Sequence, residues 1–125
     1  MSPDEELIAA ARAILGTFKL VEYASAASVA AALRTRSGRI FTGVCLDFSC
    51  GLGFCAEHSA IAEMLKSRET TIRDIVAVSD RGVVPPCGRC RELILQVSAE
   101  NTSTRVLLPN DSSTTIAALL PHHWL

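Results

Sequence analysis

Alternation of helical and strand-forming segments along 125 residues predicts an α/β fold, with a sheet sandwiched between helical layers. Two observations carry it. Segments beginning at Ser2, Cys55 and Cys90 place apolar residues at helical spacing, and a fourth, Thr115 to Leu120, stops at Pro121. Between them lie Val29 to Leu33, Ile40 to Val44, Ile72 to Val78 and Arg105 to Leu108, short apolar runs of strand length. The chain is 49% hydrophobic and has no linker, repeat or low-complexity stretch, so residues 1–125 read as one domain around one core.

The elements justify themselves in order. Ser2-Pro3-Asp4-Glu5 is a capping box with proline at the first helical position, and Leu7, Ile8, Ala11, Ile14 and Leu15 form the stripe behind it, which ends near Gly16. The polar Arg36-Ser37-Gly38-Arg39 between two apolar runs reads as a hairpin turn. Cys55 to Lys66 turns Ala56, Ala60, Ile61, Met64 and Leu65 to one side, as a helix against a sheet does. Ile72 to Val78 is β-branched and almost wholly apolar, which suits an interior strand. Cys90 to Val97 is the next helix, and Arg105 to Leu108 the strand after it.

Charge and cysteine usage narrow the function classes. A net charge of −1 without a basic run argues against a nucleic-acid backbone as main partner and for a small substrate. No run approaches the length of a membrane span, and the acidic Asp4-Glu5-Glu6 start lacks a signal pattern, so a cytoplasmic protein without membrane contact is expected. Five cysteines, an odd number, fit thiol and metal chemistry better than a disulfide framework.

Cys55-Ala56-Glu57 and, further on, Pro86-Cys87-Gly88-Arg89-Cys90 carry the chemistry. A Cys-x-x-Cys alone also serves zinc ribbons and dithiol redox pairs, and a lone Cys-x-Glu is weak. Combined, three thiolates bind Zn²⁺ and leave its fourth position open, while Glu57, two residues from a ligand, is free to act as general acid/base. Structural zinc normally takes four protein ligands and would leave Glu57 without a task, which counts against a zinc-stabilised module without catalysis; a dithiol oxidoreductase using Cys87 and Cys90 at a helix start is the alternative from another class. Cys55 and Cys87 each open a helix, where the positive end favours thiolate. Pro85 and Pro86 hold the approach to Cys87 extended. Three thiolates and Zn²⁺ sum to −1, so a cation near the sulfurs is expected, with Arg89 favoured over His58 and Arg91.

At these residues the chain resembles the cytidine deaminase family, in its all-cysteine, small-subunit branch, and the related blasticidin S deaminases. Arg39-Ile40-Phe41-Thr42-Gly43-Val44, Cys55-Ala56-Glu57, Pro85-Pro86-Cys87-Gly88-Arg89-Cys90-Arg91 and Leu119-Leu120-Pro121 fall in family order. The resemblance implies a three-layer α/β/α sandwich with a five-stranded mixed sheet, a homotetramer, and zinc-dependent hydrolytic deamination of an aminopyrimidine nucleoside. It implies base contacts from the Ala56 N–H and the carbonyl just before Cys87, with Pro85 among the substrate-binding residues. Where the family holds ribose with Asn and Glu, this chain has Cys45 and Asp47, so that clamp is weakened or rebuilt. Ala27 stands where the family has an aromatic over the base.

Cys45 and Cys50 are expected as small buried residues, His122 and His123 as surface residues. Trp124 is expected to pack or, by the resemblance, to help close an active site.

Overall fold

A computed structural model describes all 125 residues. The chain order is α1 (Pro3–Arg12), β1 (Phe18–Val21), β2 (Ala24–Thr35), β3 (Ile40–Asp47), α2 (Ala56–Lys66), β4 (Ile72–Ser79), β5 (Gly82–Val84), α3 (Gly88–Val97), β6 (Arg105–Leu108), β7 (Ser112–Thr115) and α4 (Ile116–Leu119), with a 3-10 helix, Ala99–Ser103, between α3 and β6. No helix is long and apolar enough to cross a membrane.

The sheet has seven strands where five were expected. Its body runs β3-β2-β4-β6-β7; β1 shares an edge of β2 with β4, and β5 shares an edge of β4 with β6. Pairing is antiparallel except between β4 and β6, so the sheet is mixed as expected. The strands absent from the sequence reading are short: β1 is exposed at every residue, and β7 is the polar Ser112–Thr115. The last helix shrinks to a single turn, capped by the Thr115 hydroxyl, which accepts from the Ala118 N–H.

Alternation along the central strands builds both helical layers. Ala31, Leu33, Ile75 and Ala77 face α2, α3 and α4, where Ala56, Ile61, Met64, Ile94 and Ile116 close the larger core. Their neighbours Ala30, Ala32, Val76 and Val78 face α1 through Leu7 and Ala11. α1 starts as its capping box predicts, with Ser2 Oγ accepting from the Glu5 N–H. It is fastened by charge: Arg105 forks onto Asp4 over 2.6 and 2.7 Å, and Arg34, 7% exposed, reaches Asp74 and the Pro3 carbonyl.

Two local contacts set the helices that matter for function. β3 passes so close beneath α2 that a Cβ at Gly43 would lie 2.3 Å from the Ala60 backbone nitrogen. Only glycine fits there. At the far end of α3, the fully buried Asn101 accepts from the Ile72 N–H and donates to the Thr70 and Ile94 carbonyls, which ties that helix to the start of β4.

Gly43→Ala should therefore lift α2 from the sheet and destabilise the protein by roughly 3 kcal/mol, the upper range for overpacking, measured by urea denaturation. Gly88→Ala, where a Cβ meets open space, should be neutral or slightly stabilising, because alanine suits a helix better than glycine.

Candidate metal centre and its cavity

Cys55 and Cys87 are the N-caps of α2 and α3, both with extended backbone and neither spending its side chain on a cap hydrogen bond. A Ser or Asp at those positions would turn inward to satisfy the helix's free N–H groups. A sulfur is too weak an acceptor to be held that way, so both thiols point outward towards one place. Cys90, in the first turn of α3, joins them from below and is fully buried. Cys55 Sγ lies 3.5 Å from Cys87 Sγ, and Cys87 Sγ lies 3.6 Å from Cys90 Sγ.

All three sulfurs lie within 4.8 Å of one another and none is in a disulfide. Tetrahedral zinc with bonds near 2.3 Å separates its sulfurs by about 3.8 Å, so the triangle is already the right size. Burial and the neighbouring Cys87 thiol push Cys55 up; burial and the Glu57 charge push Cys90 up. Burial also acts against ionising Cys87, but the backbone N–H of Cys90 and the other thiols outweigh it and bring Cys87 down. The three sulfurs together form a donor set for a metal ion. Cys45 and Cys50 stand outside it: Cys45 is buried as expected, while Cys50 is exposed, in a turn with φ of 61° that the sequence did not reveal.

Glu57 follows in the first turn of α2 and is 4% exposed. Burial raises its pKa; its own backbone N–H and the Cys90 thiol offset only part of that. The carboxyl shares with Cys55 and Cys87 a cavity of about 410 Å³, also lined by Ala56, Pro85 and Arg89, and at another side by Cys45 and Asp47. Every expected substrate residue is thus on one wall or another. The carbonyl just before Cys87, that of Pro86, accepts from Arg91 Nε over 2.8 Å, and Pro86 does not line this cavity; Pro85 does. Arg91 also donates to the Leu119 carbonyl, so it serves as a clamp on this segment.

His58 differs from a plain surface residue. It stacks on Phe54 with ring centroids 5.9 Å apart, and its Nε2 is buried without a partner. Burial, then the Arg89 charge, pushes His58 below the usual imidazole range. Phe54, Ser28 and Val84 line the cavity without having been singled out from sequence. Ala27, by contrast, is 2% exposed, has φ of 67°, and does not line it. Trp124 is 83% exposed and is also absent from the walls; His122 and His123 are exposed as expected.

A family profile described as "Cytidine and deoxycytidylate deaminase zinc-binding region" matches residues 1–105. The chain belongs to that family. It is 33% identical over 99 residues to the cytidine deaminase of Sporosarcina psychrophila, covering 74% of this chain and 71% of that one. It is 40% identical over 76 residues to the blasticidin-S deaminase of Bacillus cereus, covering 53% and 54%. The crystal structure of cytidine deaminase from Mycobacterium leprae superposes with a TM-score of 0.80 at 26% identity, over 98% of this chain and 100% of that one. The family is zinc-binding, and the Cys55, Cys87 and Cys90 cluster is built to hold the ion.

Substituting Ser for Cys55, Cys87 or Cys90 should each reduce zinc from about one per chain to near none, read by atomic absorption, while Cys50→Ser keeps it. The metal should also leave as pH falls, because protons compete for the thiolates.

Proposed function

We propose that this protein is a zinc-dependent hydrolase that converts an aminopyrimidine nucleoside of the cytidine or deoxycytidine kind to its uridine form and releases ammonia. The observation that carries the reading is Glu57, a buried carboxyl that shares one cavity with Cys55 and Cys87, two of the three clustered cysteines. Three protein ligands leave zinc an open position, unlike the four of a structural site, which favours an enzyme over a zinc-stabilised module. When bound, zinc supplies Lewis acidity that makes water nucleophilic near neutral pH.

The chain's own residues do the rest. Glu57, with its pKa raised by burial, takes one proton from water and delivers it to the ring nitrogen, then takes the second proton of the same water from the oxygen now bonded to the ring and delivers it to the departing amine, so the C–N bond breaks, the oxygen stays on the ring and ammonia leaves. Ala56 N–H and the Pro85 carbonyl hold the base; both residues line the cavity. Arg89, also on its wall, offsets the negative charge of the sulfurs, and His58, next to Glu57 in the chain, packs on Phe54 at the cavity's edge. Cys45 and Asp47 face the rest of the substrate. Because they replace an amide and a longer acid, a modified or antibiotic nucleoside of the blasticidin S kind is the second reading.

The same reading takes residues 1–125 as one zinc domain that works in the cytoplasm as a homotetramer. The exposed apolar side chains Phe18, Leu20, Val21 and Tyr23 on and beside β1 support association. Light scattering should return a tetramer's mass; a monomer would remove that part.

Glu57→Gln keeps shape but carries no proton. Zinc should stay bound while ammonia release from cytidine falls by roughly two or more powers of ten, the scale of general acid/base catalysis. Activity above a tenth of wild type would take the role from Glu57.

A further inference from the structure

The proton-transfer chemistry leaves one polar cluster on the cavity wall unused. Ser28 on β2 and Cys45 and Asp47 on β3 line the same cavity as Glu57, Cys55 and Cys87. Val29 lines it too, although a regular strand sends adjacent residues to opposite faces. A bulge resolves this. The β2–β3 register shifts between Ala26 and Ala30, and Ala27 takes φ of 67°, which turns Ser28 to the cavity beside Val29.

There Ser28 Oγ donates to Asp47 Oδ2 over 2.7 Å and lies 3.2 Å from Cys45 Sγ. The Val29 N–H donates to that sulfur over 3.3 Å, and the Cys45 thiol points to Asp47 Oδ2 over 3.6 Å. The protons can be counted. Ser28 gives its only one to the carboxylate. Cys45 gives its only one to Ser28 or Asp47, since its sulfur already accepts from Val29. Neither has a hydrogen left for a ligand. The cluster therefore presents lone pairs, chiefly Asp47 Oδ1, and a negative charge that no cation of the chain pairs.

We propose that Ser28 is a positioning residue that holds the Asp47 carboxylate, so that this wall selects substrates carrying a hydrogen-bond donor, a hydroxyl or a protonated amine, on the part remote from the reacting amino group. This rests on the deaminase reading of the site. Cys45 then bridges Ser28, Val29 and Asp47 and does not itself contact substrate.

The test compares cytidine, 1-(2-aminoethyl)cytosine and 1-ethylcytosine, which offer hydroxyls, a cation and no donor, on zinc-loaded wild-type protein, Ser28→Ala and Ser28→Thr. Ser28→Ala should raise KM about tenfold for the donor-bearing compound that wild type prefers, the scale of a charge-assisted hydrogen bond, and leave its kcat within about twofold. KM for 1-ethylcytosine should shift by less than about twofold, and Ser28→Thr, which keeps the hydroxyl, should restore the preference. Whichever donor-bearing compound wild type prefers identifies the donor as hydroxyl or cation. Equal KM values for all three compounds in wild type, a shift in Ser28→Ala that is the same for all or absent, or a Thr variant as poor as Ala would overturn the proposal. If wild type releases ammonia from none of them, the cytidine reading fails, and calorimetric binding of the same compounds to Glu57→Gln protein decides on Ser28 separately: the same pattern in Kd sustains its role, and a flat one removes it.

Discussion

The close approach of α2 to β3 at Gly43 is the constraint on which the rest of the site depends. Because the strand has no side chain there, the helix backbone rests almost on the sheet, with Ala60 N and Ser59 at the point of contact. That contact fixes the height of the first turn of α2, which carries Cys55, Ala56 and Glu57. α3 docks on the same sheet face, held at its far end by Asn101 and at its near end by Arg91 on the Pro86 and Leu119 carbonyls. The sulfur triangle is the meeting of two helix starts, so its size follows from how both helices sit on one sheet.

Using cysteine as N-cap on both helices sets the electrostatics. Each helix start keeps backbone N–H groups that no side chain satisfies, and their positive ends face the sulfurs. That favours thiolate, while burial opposes it at Cys55 and Cys90; the balance differs from one sulfur to the next. Around them the cations have been sorted. Arg91 is bound to carbonyls, burial and the Arg89 charge hold His58 below the usual imidazole range, and Arg89 lies on the cavity wall.

Polarity in the cavity is divided between two walls. One has Cys55, Cys87, the buried Glu57 and Arg89; the other has Ser28, Cys45 and Asp47, which hydrogen-bond among themselves. Val29, Phe54, Ala77 and Val84 add apolar surface to the same cavity. The proposed substrate, with an amino group at one end and a donor at the other, matches that division.

The sequence by itself determined the helices, the four apolar strands and the chemistry-bearing cysteines with Glu57. These signals are local: a helical stripe, a β-branched run, ligands at short spacing. Cys87 and Cys90 share a helix face whatever surrounds them, and Glu57 cannot stray from Cys55. What only tertiary structure decided is long-range. β1, β5 and β7 exist because a neighbouring strand offers hydrogen bonds to segments too short or too polar to show a pattern alone. Cys50 was expected buried and lies exposed because a turn, not a strand, carries it. Ala27 was aligned with a base-covering aromatic, but the bulge buries it and sends Ser28 to the cavity. A bulge is set by pairing across strands, and a one-residue slip exchanges faces, so no period along the chain could have placed Ser28 beside Asp47.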